Sequence, residues 1–293
     1  MKNQYLLLFF SLVVSSFAYA LDESEVIGRI QALDWNYEPA EYTLENEKSS
    51  VATSFGDYIL IGSEAHKYMR ITEGHSGFKP DAVVVRVDGS NQDAQVTYTF
   101  HDIGYVKMDD WDEHIDPKEM LDQIKKSTLE SNEIREAGYP DIFVDDWVEE
   151  PYLDEHSATA YWAISGHTGD GNSFVNAKAL KLGRHGYTEI VWMGRREQFS
   201  SAENSLAPSL AAYSYKEGFQ YADYIPGADK MAAVGVGALA YKLITGNAAA
   251  KVGAGLLAML VLFAKKLWFV IFLPFIFLWK KIKSRFSRSN FDE

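Results

Sequence analysis

The two runs AVVVRV (Ala82–Val87) and AQVTYTF (Ala94–Phe100) decide the fold class of this chain. Both are rich in β-branched and aromatic residues, which favour extended strands. The polar connection Asp88-Gly89-Ser90-Asn91 is typical of a turn, and strands joined by a short turn pair antiparallel. The stretch therefore predicts a β-hairpin.

Similar short apolar runs recur on both sides of this hairpin, with Gly-rich turns between them. The further predicted strands are Tyr58–Ile61, Ile142–Val148, Ala158–Ile164, Ser173–Leu182, Tyr187–Met193 and Tyr215–Tyr224. The predicted helices cover Glu23–Leu33, Glu64–Ile71, a segment that begins at Asp116, and residues 203–213. Together they predict one α+β domain over residues 21–229, with an antiparallel or mixed sheet and helices packed on one face.

The clearest helix start is Asp116-Pro117-Lys118-Glu119. Asp is a preferred N-cap, Pro fits the first helical position, and Glu three residues after the cap completes a capping box. We expect the helix to end near Gly138. Its predicted apolar stripe is Met120, Leu121, Ile124 and Leu129.

The N-terminus has the pattern of a secretory signal peptide. Lys2 gives a positive start, Tyr5–Val14 is nearly all apolar, and Ala18-Tyr19-Ala20 is an A-x-A cleavage site. Residues 1–20 are therefore predicted to be removed, which leaves Leu21 as the first residue. The alternative is an uncleaved anchor, for which the apolar run is short because a span needs about 20 residues.

Residues 252–279 predict a C-terminal transmembrane helix that is interrupted by Lys265 and Lys266. Each lysine near the centre of a membrane helix costs about 2.5–3.5 kcal/mol, which the surrounding Leu, Ile, Val and Phe offset. Intramembrane lysines often face a partner, so these two are the candidate contact residues of the segment. A re-entrant hairpin that turns at the lysines remains the alternative to a single span.

Charge is distributed very unevenly along the chain. Residues 21–229 hold 17 Lys or Arg against 39 Asp or Glu, whereas residues 230–293 hold 10 against 2. An Ala/Gly-rich lead-in helix is predicted over 230–251, and the basic tail 280–293 marks a cytoplasmic end. The predicted location is the inner membrane, crossed once, with the acidic domain facing the periplasm and the tail in contact with lipid headgroups.

Catalytic motifs are missing from the sequence. There is no cysteine, P-loop, G-x-G-x-x-G after a strand, G-x-S-x-G or H-E-x-x-H pattern, and the formal charge of −13 argues against nucleic-acid binding. The acidic stretch 109–116 does not match a calcium loop, so we interpret it as a solvated loop before a capped helix, in which Asp110→Asn should cost little. Asp170-Gly171-Asn172 is interpreted as a turn. No catalytic residue, metal site or cofactor is predicted.

Several short motifs occur in a characteristic order. They are Gly104-Tyr-Val-x-x-Asp-Asp-Trp with Ile115-Asp116, Asn132-x-x-Arg135-x-x-Gly138, Pro151-x-x-Asp154, Tyr161-Trp-Ala, Leu182-Gly-Arg-x-Gly186, Gly218-x-x-Tyr-Ala-Asp-Tyr224 and Asp229-Lys-x-Ala-Ala-x-Gly235. The set resembles a bacterial family of predicted membrane-anchored proteins of unknown function, over roughly residues 50–280. The resemblance implies an envelope protein with a signal peptide and a C-terminal anchor, and it supplies no catalytic residues.

Three hypotheses about function follow, of which the third is a membrane-surface or transport accessory role. The first is a non-enzymatic envelope protein, tethered to the membrane, whose exported domain binds or scaffolds a partner protein. The alternative is an envelope hydrolase or cation-dependent enzyme with a site built from dispersed histidines and carboxylates. A pocket that gathers His114 or His156 with carboxylates from other segments would favour the enzyme.

Overall fold

The computed structural model describes residues 23–73, 78–86, 94–133 and 140–246. Six predicted features lie wholly or partly outside these ranges: the signal peptide 1–20, the turn Asp88–Asn91, the helix end near Gly138, residues 247–251 of the lead-in helix, the membrane segment 252–279 with Lys265 and Lys266, and the basic tail 280–293. Within the described ranges, no helix combines the length and the apolar character that crossing a bilayer requires.

The described residues form two antiparallel sheets. In chain order the strands are β1 Glu41–Thr43, β2 Ser49–Ala52, β3 Asp57–Ile61, β4 Ala82–Arg86, β5 Gln95–His101, β6 Ile142–Asp154, β7 Thr159–Thr168, β8 Ser173–Gly183, β9 Gly186–Arg195 and β10 Tyr213–Tyr215. The large sheet has the order β3-β4-β5-β9-β8-β7-β6, and the small sheet has the order β1-β2-β10. Every strand pair in both sheets is antiparallel, including β5–β9 and β2–β10, whose strands are far apart in the chain.

Helices connect or flank these strands. They are α1 Glu23–Gln31, α2 Ser63–Glu73, α3 Trp111–His114, α4 Pro117–Glu133, α5 Ala207–Ala212 and α6 Val236–Thr245. A π-helical turn at Ala202–Leu206 leads into α5, and short 3₁₀ turns occupy Arg196–Gln198 and Tyr221–Asp223. The prediction of an α+β domain is confirmed, and of the two predicted alternatives, an antiparallel or a mixed sheet, the structure has antiparallel sheets.

The hairpin predicted from Ala82–Val87 and Ala94–Phe100 forms as expected. Ala82 pairs with Tyr98 and Val85 pairs with Gln95 across β4 and β5. The four later strands also form, as the continuous meander β6-β7-β8-β9. Strand β5 pairs with β9 and so joins the first three strands of the sheet to this meander. The turn-rich sequence between them sets this order, because short connections join neighbouring antiparallel strands.

The two faces of the large sheet are covered differently. One face packs its apolar side chains, among them Tyr98, Ile190 and Trp192, against the small sheet and the segment around α5. On the opposite face, α1 and α2 cover β3 and β4 in a second apolar cluster. The expectation of helices on a single face is therefore wrong for α5, which follows β9 and lies on the side of the small sheet.

Helix α4 begins where the capping signal places it. The Glu119 N–H donates to Asp116 Oδ1 at 3.0 Å, and Met120 and Ile124 are buried. Leu129 is the exception to the predicted stripe, since its side chain is 53% exposed. The helix packs on β6, and Trp147 Nε1 of that strand donates to the Pro117 carbonyl at 2.9 Å.

The predicted last strand Tyr215–Tyr224 is wrong beyond its first residue. Strand β10 ends at Tyr215, and the chain then turns at Gly218, whose φ of +84° suits glycine. Asp223 Oδ2 accepts the Gln220 N–H at 2.8 Å and closes a 3₁₀ turn instead of continuing the strand.

Candidate functional site

An open cleft of about 490 Å³ lies over the centre of the large sheet, on the face that α1 and α2 cover at one end. Directly paired residues of antiparallel strands share a face. Asn176 lines the cleft and pairs with Ile164, which pairs with Trp147, so Trp147 lies on the same face of the sheet. Because Trp147 Nε1 donates to the Pro117 carbonyl, α4 begins over this face, at the opposite end from α1 and α2. The central strands β5, β9 and β8 form the floor between these helices.

A buried ion pair occupies the floor of the cleft. Lys178 of β8 donates to Glu189 of β9, and His101 Nε2 of β5 lies 3.5 Å from Glu189 Oε2. Burial would raise the pKa of Glu189, but His101 and Lys178 lower it to about 2, so the carboxylate stays ionised. The His101 ring stacks on Tyr187 at 4.6 Å, which fixes the imidazole over the sheet.

A glycine brings the His101 backbone close to the turn between β8 and β9. At Gly186, an added Cβ would lie 1.9 Å from the His101 carbonyl oxygen, and φ is +155°. Any side chain there would push the end of β5 away. The Leu182-Gly-Arg-x-Gly186 motif therefore includes a glycine that the packing of β5 against this turn requires.

Hydroxyl groups on β5 complete the polar lining. Among the described residues, Thr97 Oγ1, Thr99 Oγ1 and His101 Nε2 are buried and have no hydrogen-bond partner. Gln95, at the other end of this row, accepts the Tyr68 hydroxyl at 2.9 Å. The row follows the two-residue period of a strand, so all four side chains point to the cleft face.

The motifs of the family resemblance meet in a second cluster. Arg184 makes a bidentate pair with Asp229, with Nε–Oδ2 and Nη2–Oδ1 distances of 2.8 and 2.9 Å. The same guanidinium donates to the Gly218 carbonyl at 3.1 Å. The Arg184 guanidinium holds the pKa of Asp229 low, at about 2. Three motifs that are separate in sequence are thus held together by one side chain.

The Gly104 motif joins this cluster through tyrosines. Tyr105 stacks on Tyr221 and Tyr224, with centroid distances of 4.5 and 3.9 Å. The Tyr221 hydroxyl donates to the Val106 carbonyl at 2.9 Å, and the Tyr105 N–H donates to the Lys230 carbonyl at 2.8 Å. These contacts dock the segment that leads into α6 on the loop before α3.

Asp110 has a role that the sequence did not indicate. Its carboxylate accepts the Gly237 and Ala238 N–H groups at 2.8 and 3.2 Å, so it caps the N-terminus of α6. Its side chain is only 17% exposed, and His114 Nε2 lies 3.6 Å from Oδ2. The expectation of a solvated Asp110 is wrong, because the helix that it caps begins more than a hundred residues later.

The glycines before and inside α6 are explained by the same contact. An added Cβ at Gly235 would lie 2.3 Å from Asp110 Oδ1, and one at Gly237 would lie 2.4 Å from the Asp110 carbonyl oxygen. The carboxylate occupies the place where a helix N-terminus binds an anion.

The other residues singled out in the sequence lie apart from the cleft. Asp170 accepts the Asn172 amide at 3.0 Å within the β7–β8 turn, with Gly171 at φ +91°. His167 contacts Asp145 at 2.8 Å across β6 and β7, and the His156 N–H donates to Asp154 in its own loop. Among the described residues, no group of three or more His, Asp or Glu could hold a metal ion. Lys265 and Lys266 lie outside the described residues.

A family model described as a protein of unknown function, DUF2167, matches residues 36–276. The chain belongs to this family. The resemblance to an uncharacterised family, which the ordered motifs indicated, is therefore confirmed. No curated protein shows significant similarity to the chain.

Two solved structures are similar to parts of the DUF2167 chain. Cyanobacterial PsbP (CyanoP) from Synechocystis has 7% identity and a TM-score of 0.37, over 60% of this chain and 92% of that one. A protein from Bacteroides thetaiotaomicron has 12% identity and a TM-score of 0.23, over 61% of this chain and 49% of that one. These likenesses assign no activity to the chain.

Sequence reasoning missed the cleft residues His101, Lys178 and Glu189. One signal could have found part of the set: β5 reads Gln95, Thr97, Thr99 and His101 at every second position, opposite Val96 and Tyr98. A polar row on a central strand indicates a face that is not packed against apolar side chains. Lys178 and Glu189 gave no comparable signal, because their meeting depends on the register of β8 and β9.

Proposed function

We propose that the protein is a membrane-anchored envelope protein whose exported domain binds or scaffolds a partner protein. In this proposal residues 1–20 direct export and residues 252–279 cross the inner membrane once. The domain faces the periplasm, and the basic tail 280–293 lies against lipid on the cytoplasmic side. The family description is compatible with such a role and leaves the activity open.

The main support for this proposal is the way α6 is attached to the domain. The Val236 N–H donates to the Lys107 carbonyl at 2.8 Å, Asp110 caps the helix, and the helix packs on α3 and α4. Gly246 closes the helix in the left-handed conformation. Five residues lie between Gly246 and Val252, so the Cα atoms of these two residues are at most about 20 Å apart. A membrane anchor there would therefore hold the domain close to the bilayer.

Membrane topology is tested with single cysteines, since the chain has none of its own. We expect Glu155→Cys, on the exposed β6–β7 turn, to react with a membrane-impermeant thiol reagent in spheroplasts, and Asn290→Cys to stay unlabelled until the membrane is opened. Labelling at both sites would support the hairpin at Lys265-Lys266 and contradict the single span. Protection at both sites would contradict export of the domain.

Partner binding is tested with the membrane lysines. Replacing Lys265 and Lys266 by Leu removes roughly 5–7 kcal/mol of insertion cost, so membrane retention should hold or improve. If the lysines contact a partner, a pull-down of this variant from native membranes should lose proteins that the wild-type chain recovers. Replacement by Arg keeps the charge and serves as the control. An unchanged set of recovered proteins would contradict a partner role for the lysines.

The enzyme hypothesis has one specific observation in its favour. His101 and Glu189 come from different strands and meet in a cleft, although the sequence had indicated His114 or His156. A cation-dependent enzyme would need this pair to bind metal. Calorimetric titration of the full chain with Ca²⁺, Mg²⁺ and Mn²⁺ tests this, with Glu189→Gln as the control. A micromolar site that the variant loses would favour the enzyme over the scaffold.

A further inference from the structure

Two threonine side chains of β5, Thr97 and Thr99, lie in the lining of the cleft. Thr97 is 3% exposed, and among the described residues neither its hydroxyl nor that of Thr99 has a hydrogen-bond partner. An unsatisfied buried hydroxyl destabilises a fold, because it has lost its hydrogen bonds to water. Both side chains line the cleft, and a threonine side chain has three staggered positions available to its hydroxyl. A ligand in the cleft can then supply the missing partners.

The charges around the cleft favour an uncharged ligand. Lys178 and Glu189 neutralise each other on the floor, and Lys79 is exposed at the rim. An anion would have to displace Glu189 from Lys178, and a cation would have to displace Lys178 from Glu189. A neutral group meets neither penalty and can use both the donor and the acceptor of the pair.

The lining of the cleft contains both hydrogen-bond donors and acceptors, which restricts the chemical class of the ligand further. Threonine hydroxyls both donate and accept, lysine only donates, and an ionised carboxylate only accepts. A ligand hydroxyl also donates and accepts, so a molecule with several hydroxyls can form hydrogen bonds with the threonines, with Lys178 and with Glu189. Phe78, Met69, Val191 and Met193 add apolar walls. The volume of about 490 Å³ is in the usual range for small-molecule sites, about 300–1,000 Å³.

We propose that this cleft is a binding site for an uncharged, hydroxyl-rich small molecule of the class of a short saccharide. The hydroxyls of Thr97 and Thr99 contact the ligand, and the Lys178–Glu189 pair with His101 orients it. The apolar walls cover its less polar face. This proposal does not rest on a membrane anchor or on a protein partner.

Saturation-transfer NMR on the full chain in phospholipid nanodiscs tests the site, with sugar-based detergents kept out of the preparation. The probes are maltose and N-acetylglucosamine, with acetate and inorganic phosphate as charged probes, each at millimolar concentration. We expect transfer to at least one saccharide and not to the charged probes. Transfer to acetate or phosphate alone, or to none of the four, would overturn the proposal.

Isosteric variants separate binding from folding. Thr97→Val and Thr99→Val replace an unpartnered hydroxyl by a methyl group of similar size, so each should keep or raise Tm while it reduces saccharide transfer at least several-fold. Thr168→Val is the matched control, because that buried hydroxyl has acceptors in Asp170 Oδ1 and, at 3.3 Å, the Asn172 carbonyl. It should lower Tm and leave transfer unchanged. Undiminished transfer in the double variant Thr97→Val/Thr99→Val would overturn the assignment.

Discussion

At the scale of single residues, Asp110 shows how a tertiary contact can reverse an interpretation. Its neighbours Asp109, Asp112 and Glu113 make it look like one of several solvated carboxylates. In the fold it accepts two N–H groups from a helix whose N-terminus carries a partial positive charge. The free energy of unfolding should therefore depend on Asp110 and hardly at all on Asp109, whose side chain is 72% exposed.

The corresponding prediction compares the two carboxylates. Asp110→Ala removes both hydrogen bonds and the charge, and should lower the free energy of unfolding by about 1–2 kcal/mol. Asp110→Asn keeps an acceptor and should cost about 0.5–1 kcal/mol. Asp109→Asn is the matched control, with an expected change within about 0.5 kcal/mol. Denaturant unfolding measures all three, and equal effects at positions 109 and 110 would contradict the cap.

Glu189 gives a prediction about pH. Its pKa is about 2 in the fold and 4.5 ordinarily, so its contribution to stability is present above pH 4.5 and is lost as pH falls toward 2. The loss is on the order of 3 kcal/mol. Unfolding measured between pH 5 and pH 2 should show a steeper loss for the wild type than for Glu189→Gln, which has no carboxyl group to protonate. Parallel pH profiles would mean that the ion pair does not hold the pKa down.

At the scale of elements, α4 illustrates what local sequence can specify. Its start follows from Asp116 and Pro117, which act within the first turn and need no tertiary contact. Its buried face does not follow in the same way, since Met120 and Ile124 are buried and Leu129 is exposed. Helical periodicity gives the direction of the stripe, but the neighbouring elements decide where the stripe ends.

The cap of α4 is open to a direct test. Asp116→Ala should lower the free energy of unfolding by about 1 kcal/mol, because the Glu119 N–H loses its acceptor. Asp116→Asn and Asp116→Ser, which are also good caps, should recover most of the loss. Thermal or denaturant unfolding gives the values, and a loss with Ser as large as that with Ala would contradict capping as the cause.

At the scale of the whole molecule, the prediction concerns export. The signal pattern ends at Ala18-Tyr19-Ala20, and the described domain begins with α1 at Glu23. Cleavage after Ala20 would therefore leave α1 intact, with Val26 and Ile30 in their buried positions. N-terminal sequencing of the protein from membranes should give Leu21. An intact Met1 on the mature protein would contradict cleavage.

The sequence by itself determined the strands of the large sheet, the hairpin β4–β5, the start of α4 and the family, whereas it left an antiparallel or a mixed sheet open. Each of these depends on local propensity, turn chemistry or an ordered set of motifs, which are properties of neighbouring residues. It also located Asp170-Gly171-Asn172 in a turn, because Gly171 adopts its positive φ within that same segment.

Only the tertiary structure decided where the polar groups meet. Arg184 pairs with Asp229, Asp110 caps α6, and Lys178 and Glu189 face each other across β8 and β9. Each contact joins segments that are distant in sequence or depends on a strand register, and a register shift of one residue would turn every side chain of a strand to the other face. The candidate site is made of such contacts, so its residues could not be selected before the fold was known.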